Sequence, residues 1–347
     1  MRKIFGYILY ALTLAAFVVA TVGELCGWPL WVGPADGGVA EEEQEVEIVV
    51  VGDVMAHLPQ VESAMVAEER YCFVPHFEGV RDLFGQADYV VANLETTLSP
   101  RPPYSGYPAF ATPEELAHDL AAVGVDAVTI ANNHITDKGA EGVLHTLAAL
   151  ANASVECVGA AVPALRAGGA KPLVATVGGF KVAFVGCTDV LNRHDKEVAV
   201  VRLDTLALRG AIESVRPRVD VVVLLVHWGE EYHLQPSGRQ REHAEWARRV
   251  GVDLVLGSHP HVIQPWEVWT DEGGKTTGGV FYSLGNFISN QNDRGTDRGL
   301  AARIRLRRSG AGEPMEMQIA ADTLYRLRHT DTEGKIHYAI RHGLGEQ

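Results

Sequence analysis

The sequence predicts an α/β fold, and three observations lead to this prediction. Short apolar runs rich in β-branched residues alternate with helix-like stretches over much of the chain, an order typical of parallel sheets covered by helices. Two of the runs, IVVVGD and VDVVVLLVHWG, are apolar without alternation, as expected of strands buried on both faces. The composition is that of a globular protein, with 47% hydrophobic and 21% charged residues among 347.

The predicted elements follow one another along the chain. Strands are expected at residues 47–51, 89–92, 127–131, 155–159, 182–186, 219–226 and 254–257, and helices at 113–123, 139–151, 205–215 and 238–250. From about residue 262 the helix-like stretches disappear, and runs such as GGVFYSLGNF and GLAARIRLRR indicate antiparallel strands that close a second sheet. We therefore expect one domain over residues 46–330, made of two packed sheets with outer helices, and a C-terminal tail at 331–347.

The first 30 residues differ in character from the rest. Arg2 and Lys3 precede a nearly unbroken apolar run over residues 4–23, which is about long enough to cross a bilayer as a helix. A charged start before an apolar run indicates a secretory signal or an uncleaved signal anchor. We expect a single-pass membrane anchor over 1–30, a linker rich in glycine, proline and acidic residues over 31–45, and a main domain on the extracytoplasmic side of the cell membrane.

Charge and cysteine content narrow the possible partners. The net charge of −14 repels nucleic-acid phosphate, so no nucleic-acid partner is expected. It also repels a polyanionic substrate, unless cations in a local site offset the field. The four cysteines, at positions 26, 72, 157 and 187, form no CxxC pair, so a thiolate zinc site is not indicated. A disulfide is permitted outside the cytoplasm, but the sequence does not pair the cysteines.

Polar side chains follow the ends of five predicted strands. They are Asp53; Asn93 and Glu95; Asn132, Asn133 and His134; His227, Glu230 and Glu231; and His259 and His261. Sites in α/β sheets form at the carboxyl ends of the strands, so these groups are expected to converge. Carboxylate, amide oxygen and imidazole suit zinc, manganese, iron or a similar divalent ion. Five or six ligands exceed the needs of one tetrahedral ion, and two ions can clamp a phosphoryl group between them.

Each of these elements also has an ordinary explanation. Asn132 or Asp137 could cap a helix, the imidazole of His227 could be a packed core residue, and the His-Pro-His segment could be a surface loop. The common position of all five elements at strand ends favours a joint metal site over these separate explanations.

Other residues lie near the predicted site without a single interpretation. His57 follows Asp53 by four positions and is either a further metal ligand or a substrate contact. In NQNDRGTDRG, the residues Arg294, Asp297 and Arg298 either contact an anionic ligand or form a polar turn. The proline-rich stretch 99–112 either shapes substrate access or is an ordinary surface loop.

Taken in order, the motifs resemble those of the CapA family of poly-γ-glutamate capsule proteins, within the calcineurin-like metallophosphoesterase superfamily. The matching stretches are VGDVMAH (51–57), ANLETTLS (92–99), ANNHITDKG (131–139), VHWGEEY (226–232), GSHPHVIQP (257–265) and YSLGNF (282–287). The resemblance covers about residues 46–290. It implies a metallophosphoesterase-like β-sandwich of two sheets flanked by helices.

The resemblance also implies roles for individual residues. It places one or two divalent ions, of manganese, zinc or iron, on the ligands Asp53, His57, Glu95, Asn133, His227, His259 and His261. Glu95 would bridge two ions: one also held by Asp53 and His261, with His57 as a further candidate, the other by Asn133, His227 and His259. His134 would act as a metal-free general acid. The superfamily pattern is Asp-x-His with a bridging aspartate, whereas His57 lies two residues later here and Glu95 is one methylene longer.

Three functions remain open from the sequence. The first is a metal-dependent hydrolase of the phosphoesterase type, acting on a cell-surface anionic polymer or its carrier. The second is a metal-dependent binding and assembly partner of membrane synthase subunits in poly-γ-glutamate synthesis or export. The third is a purely structural metal site, whose removal would unfold the domain.

Overall fold

The chain divides into two units, Met1–Glu42 and Glu43–Gln347. The computed structural model describes residues 43–163, 167–168, 171–203, 205–310 and 313–343, so the predicted membrane anchor and most of the predicted linker lie outside the described residues. Within the described ranges, no helix has the length and apolar character that crossing a membrane requires.

The described strands and helices are numbered separately in chain order. The strands are β1 (Gln44–Val54), β2 (Met65–Ala67), β3 (Arg70–Tyr71), β4 (Tyr89–Leu94), β5 (Leu98–Ser99), β6 (Thr112–Pro113), β7 (Ala127–Thr129), β8 (Glu156–Val158), β9 (Ala160–Val162), β10 (Ala167–Gly168), β11 (Leu173–Val177), β12 (Phe180–Thr188), β13 (Ala199–Val200), β14 (Val221–His227), β15 (Leu254–Ser258), β16 (Trp266–Thr270), β17 (Thr276–Phe281), β18 (Asn286–Ile288), β19 (Arg298–Arg308), β20 (Glu316–Thr330) and β21 (Ile336–Gly343). The helices are α1 (Leu58–Ala64), α2 (Val74–Phe77), α3 (Arg81–Gln86), α4 (Glu115–Ala122), α5 (Gly139–Asn152), α6 (Thr205–Val215) and α7 (Gly238–Arg249).

Two large sheets carry the fold, and the predicted α/β class is confirmed. The larger sheet has the order β21-β20-β19-β1-β4-β7-β8, with β18 beside the end of β1. Its strands β1, β4, β7 and β8 run parallel, whereas β19, β20 and β21 add antiparallel strands at one side. The smaller sheet has the order β11-β12-β14-β15-β17-β16, with a parallel centre and antiparallel edges.

The strands after residue 262 divide between the two sheets, which corrects the prediction that they all close the second one. β16 and β17 extend the smaller sheet, whereas β19, β20 and β21 extend the larger one. The pattern of β19 explains its position beside β1. Its apolar residues Leu300, Ala302 and Ile304 pack between the sheets, and Arg303 on its other face binds Glu47 of β1 at 2.8 Å. The predicted C-terminal tail, 331–347, contains β21.

Local sequence explains the two longest helices. In α5 the buried residues include Val143, Leu147 and Leu150, the spacing of one apolar face turned to the core. Helix α7 begins after Ser237, whose side chain accepts a hydrogen bond from the backbone of Gln240, and the Gln240 side chain accepts one from the Ser237 backbone. Such a reciprocal cap satisfies two of the free backbone donors at a helix start.

The main core lies between the two sheets. Ile48 and Val50 of β1 face Phe184 of β12 and Val223 of β14 across this layer, and all four side chains are at most 2% exposed. Full burial of one such side chain contributes roughly 1.5–3 kcal/mol. Two further cores lie on the outer faces of the sheets, where the helices cover them.

Strand β1 contains a bulge just before its end. Val49, Val51 and Val54 all belong to the core on the helix side of the larger sheet, although alternation would place Val54 on the opposite face from Val51. Between Val50 and Asp53, β1 advances by three residues while its partner β4 advances by two. One extra residue is therefore absorbed, and Asp53 is turned toward the smaller sheet.

Three of the four cysteines lie among the described residues, and all three are free thiols: Cys72, Cys157 and Cys187. Cys187 is buried in the outer core of the smaller sheet. Burial raises the pKa of the Cys157 thiol to about 11, which makes it a weak nucleophile. Cys26 lies outside the described residues.

Candidate metal centre

The alternation of side chains along the strands places the candidate ligands between the two sheets. In β4 the side chains of Tyr89 and Val91 face the inter-sheet core, so Glu95, just beyond the strand, continues the same face. In β14 Leu225 faces that core, and His227 follows it two residues later. The ligands from both sheets therefore meet at the carboxyl ends of the strands, where the inter-sheet layer ends.

Five buried side chains form two overlapping triads. The ligand atoms of Glu95, His259 and His261 lie within 4.8 Å of one another, and so do those of Asp53, Glu95 and His227. All five side chains are between 0% and 5% exposed. Glu95 belongs to both triads, the position that a bridging carboxylate requires.

Asn133 joins the same cluster through its amide oxygen. Its Oδ1 lies 2.8 Å from Nε2 of His227, and Oε1 of Glu95 lies 3.6 Å from the same nitrogen. Nε2 of His261 lies 3.8 Å from Oε1 of Glu95. The structure therefore brings together six of the seven ligands that the sequence predicts.

The residues present fit a divalent cation. Oε1 of Glu95 and Nδ1 of His259 are buried and have no hydrogen-bond partner among the described residues. Asp53 and Glu95 are both 0% exposed, and within the described ranges their ion-pair partners are histidines and not lysine or arginine. Buried carboxylates without a cation are costly, so oxygen and nitrogen donors aimed at a common point suit a metal ion.

Burial shifts the ionisation of this cluster. Burial, followed by the charge of Asp53, raises the pKa of Glu95 well above its usual range. Burial, followed by the neighbouring His259, lowers the pKa of His227 well below its usual range. Burial, with His261 second, lowers the pKa of His259 to about 4. These two imidazoles are therefore neutral near pH 7, the state in which imidazole binds a metal.

The backbone of the His-Pro-His segment is strained. His259 has φ of 94° and His261 has φ of 60°, the left-handed region that side chains other than glycine rarely adopt. Each such residue costs of the order of 1–3 kcal/mol. Between them, the carbonyl oxygen of Pro260 accepts a hydrogen bond of 2.8 Å from the backbone of Tyr232, which fixes the segment against the preceding loop.

Three polar side chains hold the ligands in place. Asn93 donates to Oδ1 of Asp53 at 2.8 Å, Oγ of Ser258 lies 2.9 Å from Nδ1 of His227, and Oδ1 of Asn286 lies 3.1 Å from Nδ1 of His261. Such partners fix the ring orientation of ligating histidines. Sequence reasoning placed Asn93 at a strand end but gave it no role. It missed Ser258 and Asn286, although both lie within the motifs GSHPHVIQP and YSLGNF.

His134 forms a buried pair beside the cluster. Its Nδ1 lies 2.8 Å from Oδ2 of Asp137, and both side chains are 3% exposed. The same carboxylate oxygen accepts a hydrogen bond from the backbone of Phe110 at 2.8 Å. The Phe110 ring packs edge-on against His134 at 4.7 Å between ring centres. Because Asp137 holds Nδ1, Nε2 is the atom through which His134 can exchange a proton.

His57 belongs to neither triad. Its Nδ1 lies 3.3 Å from Oε1 of Gln60 and accepts a hydrogen bond of 3.3 Å from the backbone of Asn290. Burial lowers its pKa to about 4, and its ring lies 5.2 Å from that of Phe110. Of the two ways to interpret this residue, the geometry favours a position on the wall of the site over a place among the ligands.

Comparison with known proteins yields a family and several relatives. Residues 47–291 match the model of a family described as bacterial capsule synthesis protein PGA_cap. The chain is 30% identical over 243 residues to the PGA biosynthesis protein CapA of Bacillus subtilis (strain 168), a match that covers 68% of this chain and 62% of that protein. It is 29% identical over 285 residues to the capsule biosynthesis protein CapA of Bacillus anthracis, covering 78% and 66%. Less than two thirds of each of these relatives is therefore matched.

More distant likenesses extend this set. A probable polyglutamine synthesis accessory protein of Mycobacterium tuberculosis is 24% identical over 279 residues, covering 71% of this chain and 70% of that protein. A hypothetical protein from Thermus thermophilus aligns with a TM-score of 0.45 and 16% identity, covering 79% and 99%. A 5'-nucleotidase from Candida albicans SC5314 aligns with a TM-score of 0.48 and 10% identity, covering 81% and 51%.

Proposed function

This chain belongs to the bacterial capsule synthesis family PGA_cap, the CapA family, and from that premise we propose that it acts in the synthesis or export of poly-γ-glutamate or a related cell-surface polymer. The functions named for its relatives in Bacillus support this proposal. The family match spans residues 47–291, so every residue from Asp53 to His261 in the candidate metal centre lies inside the matched part.

We further propose that the centre is a divalent-metal hydrolase site on a metallophosphoesterase-like fold. The observation that carries this proposal is the buried Oε1 of Glu95, which has no hydrogen-bond partner among the described residues and belongs to a residue shared by both triads. Asp53 and Asn133 would add oxygen ligands, and the three clustered imidazoles nitrogen ligands. A bound divalent ion would supply Lewis acidity for a phosphoryl, ester or amide group.

A side chain of the protein, His134, would transfer the proton to the leaving group. His134 is held at Nδ1 by Asp137, which leaves Nε2 to deliver a proton to the leaving group as a general acid. The hydrogen bond from the Phe110 backbone to Asp137 keeps that carboxylate oriented toward the imidazole. A fixed tautomer and a fixed ring direction are what such an acid requires.

The setting is also part of the proposal. The apolar run at residues 4–23 would anchor the chain in the cell membrane, with residues from about 46 onward outside the cytoplasm. In this position the site would meet a cell-surface anionic polymer or its carrier. It would also lie beside the membrane synthase subunits that make or export the polymer.

The hydrolase proposal is tested with full-length protein stripped by chelator and reloaded with manganese or zinc. We expect turnover of phosphodiesters, and a loss of roughly 10²–10⁴-fold in His134→Ala with metal content unchanged. The matched control is His145→Ala, a histidine on the outer face of α5 that is 37% exposed. It should keep full turnover.

Two outcomes separate the hydrolase from its main alternative. Metal uptake with no turnover above that of His134→Ala would reject the hydrolase and leave metal-dependent polymer binding in an assembly complex. Unaltered capsular polymer in a strain that lacks the gene would reject the role in polymer synthesis altogether.

A further inference from the structure

A cavity lies beside the loop that precedes β19. It has a volume of about 280 Å³ and is lined by Leu234, Val262, Ile263, Arg294, Gly295 and Arg298. Val262 and Ile263 directly follow the ligand His261 in the chain, so this cavity and the metal centre share one backbone segment.

The loop that closes the cavity is fixed to the metal centre. Asn286, which lies beside His261, donates from Nδ2 to Oε1 of Gln291 at 2.8 Å and to the carbonyl oxygen of Thr296 at 3.1 Å. Gln291 in turn donates to the hydroxyl of Tyr232 at 3.3 Å. The position of the cavity relative to the metal ligands is therefore set by hydrogen bonds.

The cavity is cationic in a strongly acidic chain. Its lining contains two arginines and no carboxylate, whereas the whole chain carries a net charge of −14. Nε of Arg298 is paired with Asp297 at 3.2 Å. The side chain of Arg294 is exposed and has no ion pair or hydrogen bond with any described residue, so its charge is available to a ligand.

More positive charge surrounds the same loop. Arg326 donates to the carbonyl oxygen of Gln291 at 3.1 Å, and Arg328 donates to Asn292 at 3.3 Å. Four guanidinium groups therefore lie in or against the loop 290–298, compared with the two carboxylates of Asp293 and Asp297. This local excess offsets the field of the chain, which would otherwise repel an anionic substrate.

The rest of the lining is apolar. Val262 is fully buried, Ile263 is half-buried, and Leu234 is 53% exposed at the entrance. An apolar wall below a guanidinium suits a carboxylate that is flanked by methylenes of the same unit, because the methylenes leave water while the charge meets arginine. A bare inorganic anion would gain nothing from these side chains.

We propose that this cavity is a subsite for one free carboxylate of an acidic polymer, held by Arg294 and Arg298 while the adjacent segment of the polymer reaches the metal centre. The assignment rests on the proposed function in taking an acidic polymer as the substrate. It adds a recognition element that selects a γ-glutamyl unit over a neutral one.

The experiment measures binding of a fluorescent, short γ-glutamyl oligomer to the full-length chain by anisotropy. Arg294→Gln removes an exposed charge that has no contact to lose among the described residues, so folding should be unaffected. We expect Arg294→Gln with Arg298→Gln to weaken binding about tenfold and Arg294→Gln alone to weaken it severalfold. Binding of the neutral oligomer, in which each free α-carboxylate is replaced by a carboxamide, should not change.

The matched control is the double variant Arg101→Gln with Lys138→Gln. These cations line a separate cavity of about 300 Å³ near the start of α5. Equal weakening by both double variants would mean non-specific attraction and would overturn the subsite. Displacement of the oligomer by inorganic phosphate at lower concentration than by acetate would overturn the carboxylate assignment.

Failure of the hydrolase proposal can be distinguished from failure of the subsite proposal. If the wild type binds no metal and turns over no substrate, the oligomer affinities still separate the two double variants, and a selective loss in the Arg294 and Arg298 variant supports the subsite. If the wild type is active and that variant binds the acidic oligomer like wild type, the subsite is overturned while the hydrolase stands.

Discussion

The two sheets contribute different halves of the metal centre. The larger sheet provides oxygen donors, Asp53, Glu95 and Asn133, from segments with ordinary backbone geometry. The smaller sheet provides imidazoles, and two of them, His259 and His261, stand on residues with φ of 94° and 60°. The oxygen half carries two buried carboxylates, whereas the nitrogen half contains three imidazoles and a strained backbone.

This difference explains why the centre needs both sheets. The oxygen half alone would bury negative charge without a cation, and the nitrogen half alone would hold two strained residues without a ligand to orient. Packing the sheets brings Nε2 of His227 to 3.6 Å from Oε1 of Glu95, where a cation can satisfy both. We therefore expect the oxygen half to control charge and metal retention, and the nitrogen half to adjust affinity.

The largest effect is expected from Glu95→Gln in the oxygen half. Removing the shared carboxylate should lower metal affinity by more than about 100-fold. In metal-free protein the same change should stabilise the fold. The pKa of Glu95 in the folded protein is raised above its unfolded value of 4.5. The wild type therefore loses stability as the pH rises from 4.5 through the folded pKa, because the buried carboxyl group must ionise. The variant has no carboxyl group at this position and does not lose this stability.

The measurement for Glu95→Gln combines metal analysis with urea unfolding of chelator-treated protein at about pH 5 and about pH 8. The stability advantage of the variant should be larger at the higher pH. An advantage that shrinks with rising pH, or retention of metal, would contradict the division between the two halves.

A smaller effect is expected from Ser258→Ala in the nitrogen half. Losing the 2.9 Å contact to Nδ1 of His227 leaves the ring free to turn, which should weaken metal binding about 10–100-fold. Stability of the metal-free protein should fall by about 1 kcal/mol. Competition with a fluorescent chelator gives the affinity. A change as large as that in Glu95→Gln would place His227 on a level with the shared carboxylate.

The smallest effect is expected from His57→Ala, outside both triads. Its Nδ1 accepts a hydrogen bond from the Asn290 backbone and it belongs to neither triad, so metal stoichiometry should remain that of the wild type and affinity should change less than about twofold. Elemental analysis after dialysis checks this. Loss of one metal equivalent would return His57 to the ligand set and give the larger sheet an imidazole ligand beside its oxygen donors.

The sequence predicts the elements that surround the site better than those at the edges. Seven predicted strands and four helices lie within a few residues of the observed ones, because long apolar runs and helical periodicity are strong local signals. The short helices α1, α2 and α3 were not predicted, since 4 to 7 residues give no clear period. The sheet that β19 and the strands after it join was also wrongly predicted, because alternation in β19 shows a strand without showing its partner.

The candidate site follows the same division. The positions of Glu95, Asn133 and His227 at strand ends predicted correctly that they lie together. Both the alternation of side chains along a strand and the carboxyl end of the strand can be inferred from the sequence. Ser258 and Asn286 were not predicted as supports, because a lone serine or asparagine in a motif can serve many roles. Only the fold shows which ring nitrogen it meets.

The bulge in β1 has a consequence for how its last residues tolerate change. Counting by twos from Val51 would place Asp53 under the helices, and the extra residue reverses that assignment. Gly52 lies at this point, and a Cβ there would be 1.8 Å from the carbonyl oxygen of Gly285, directly before Asn286. Gly52 carries no side chain, yet a single methyl group added there would displace two residues of the site at once. These are Asp53 on β1 and Asn286 on β18.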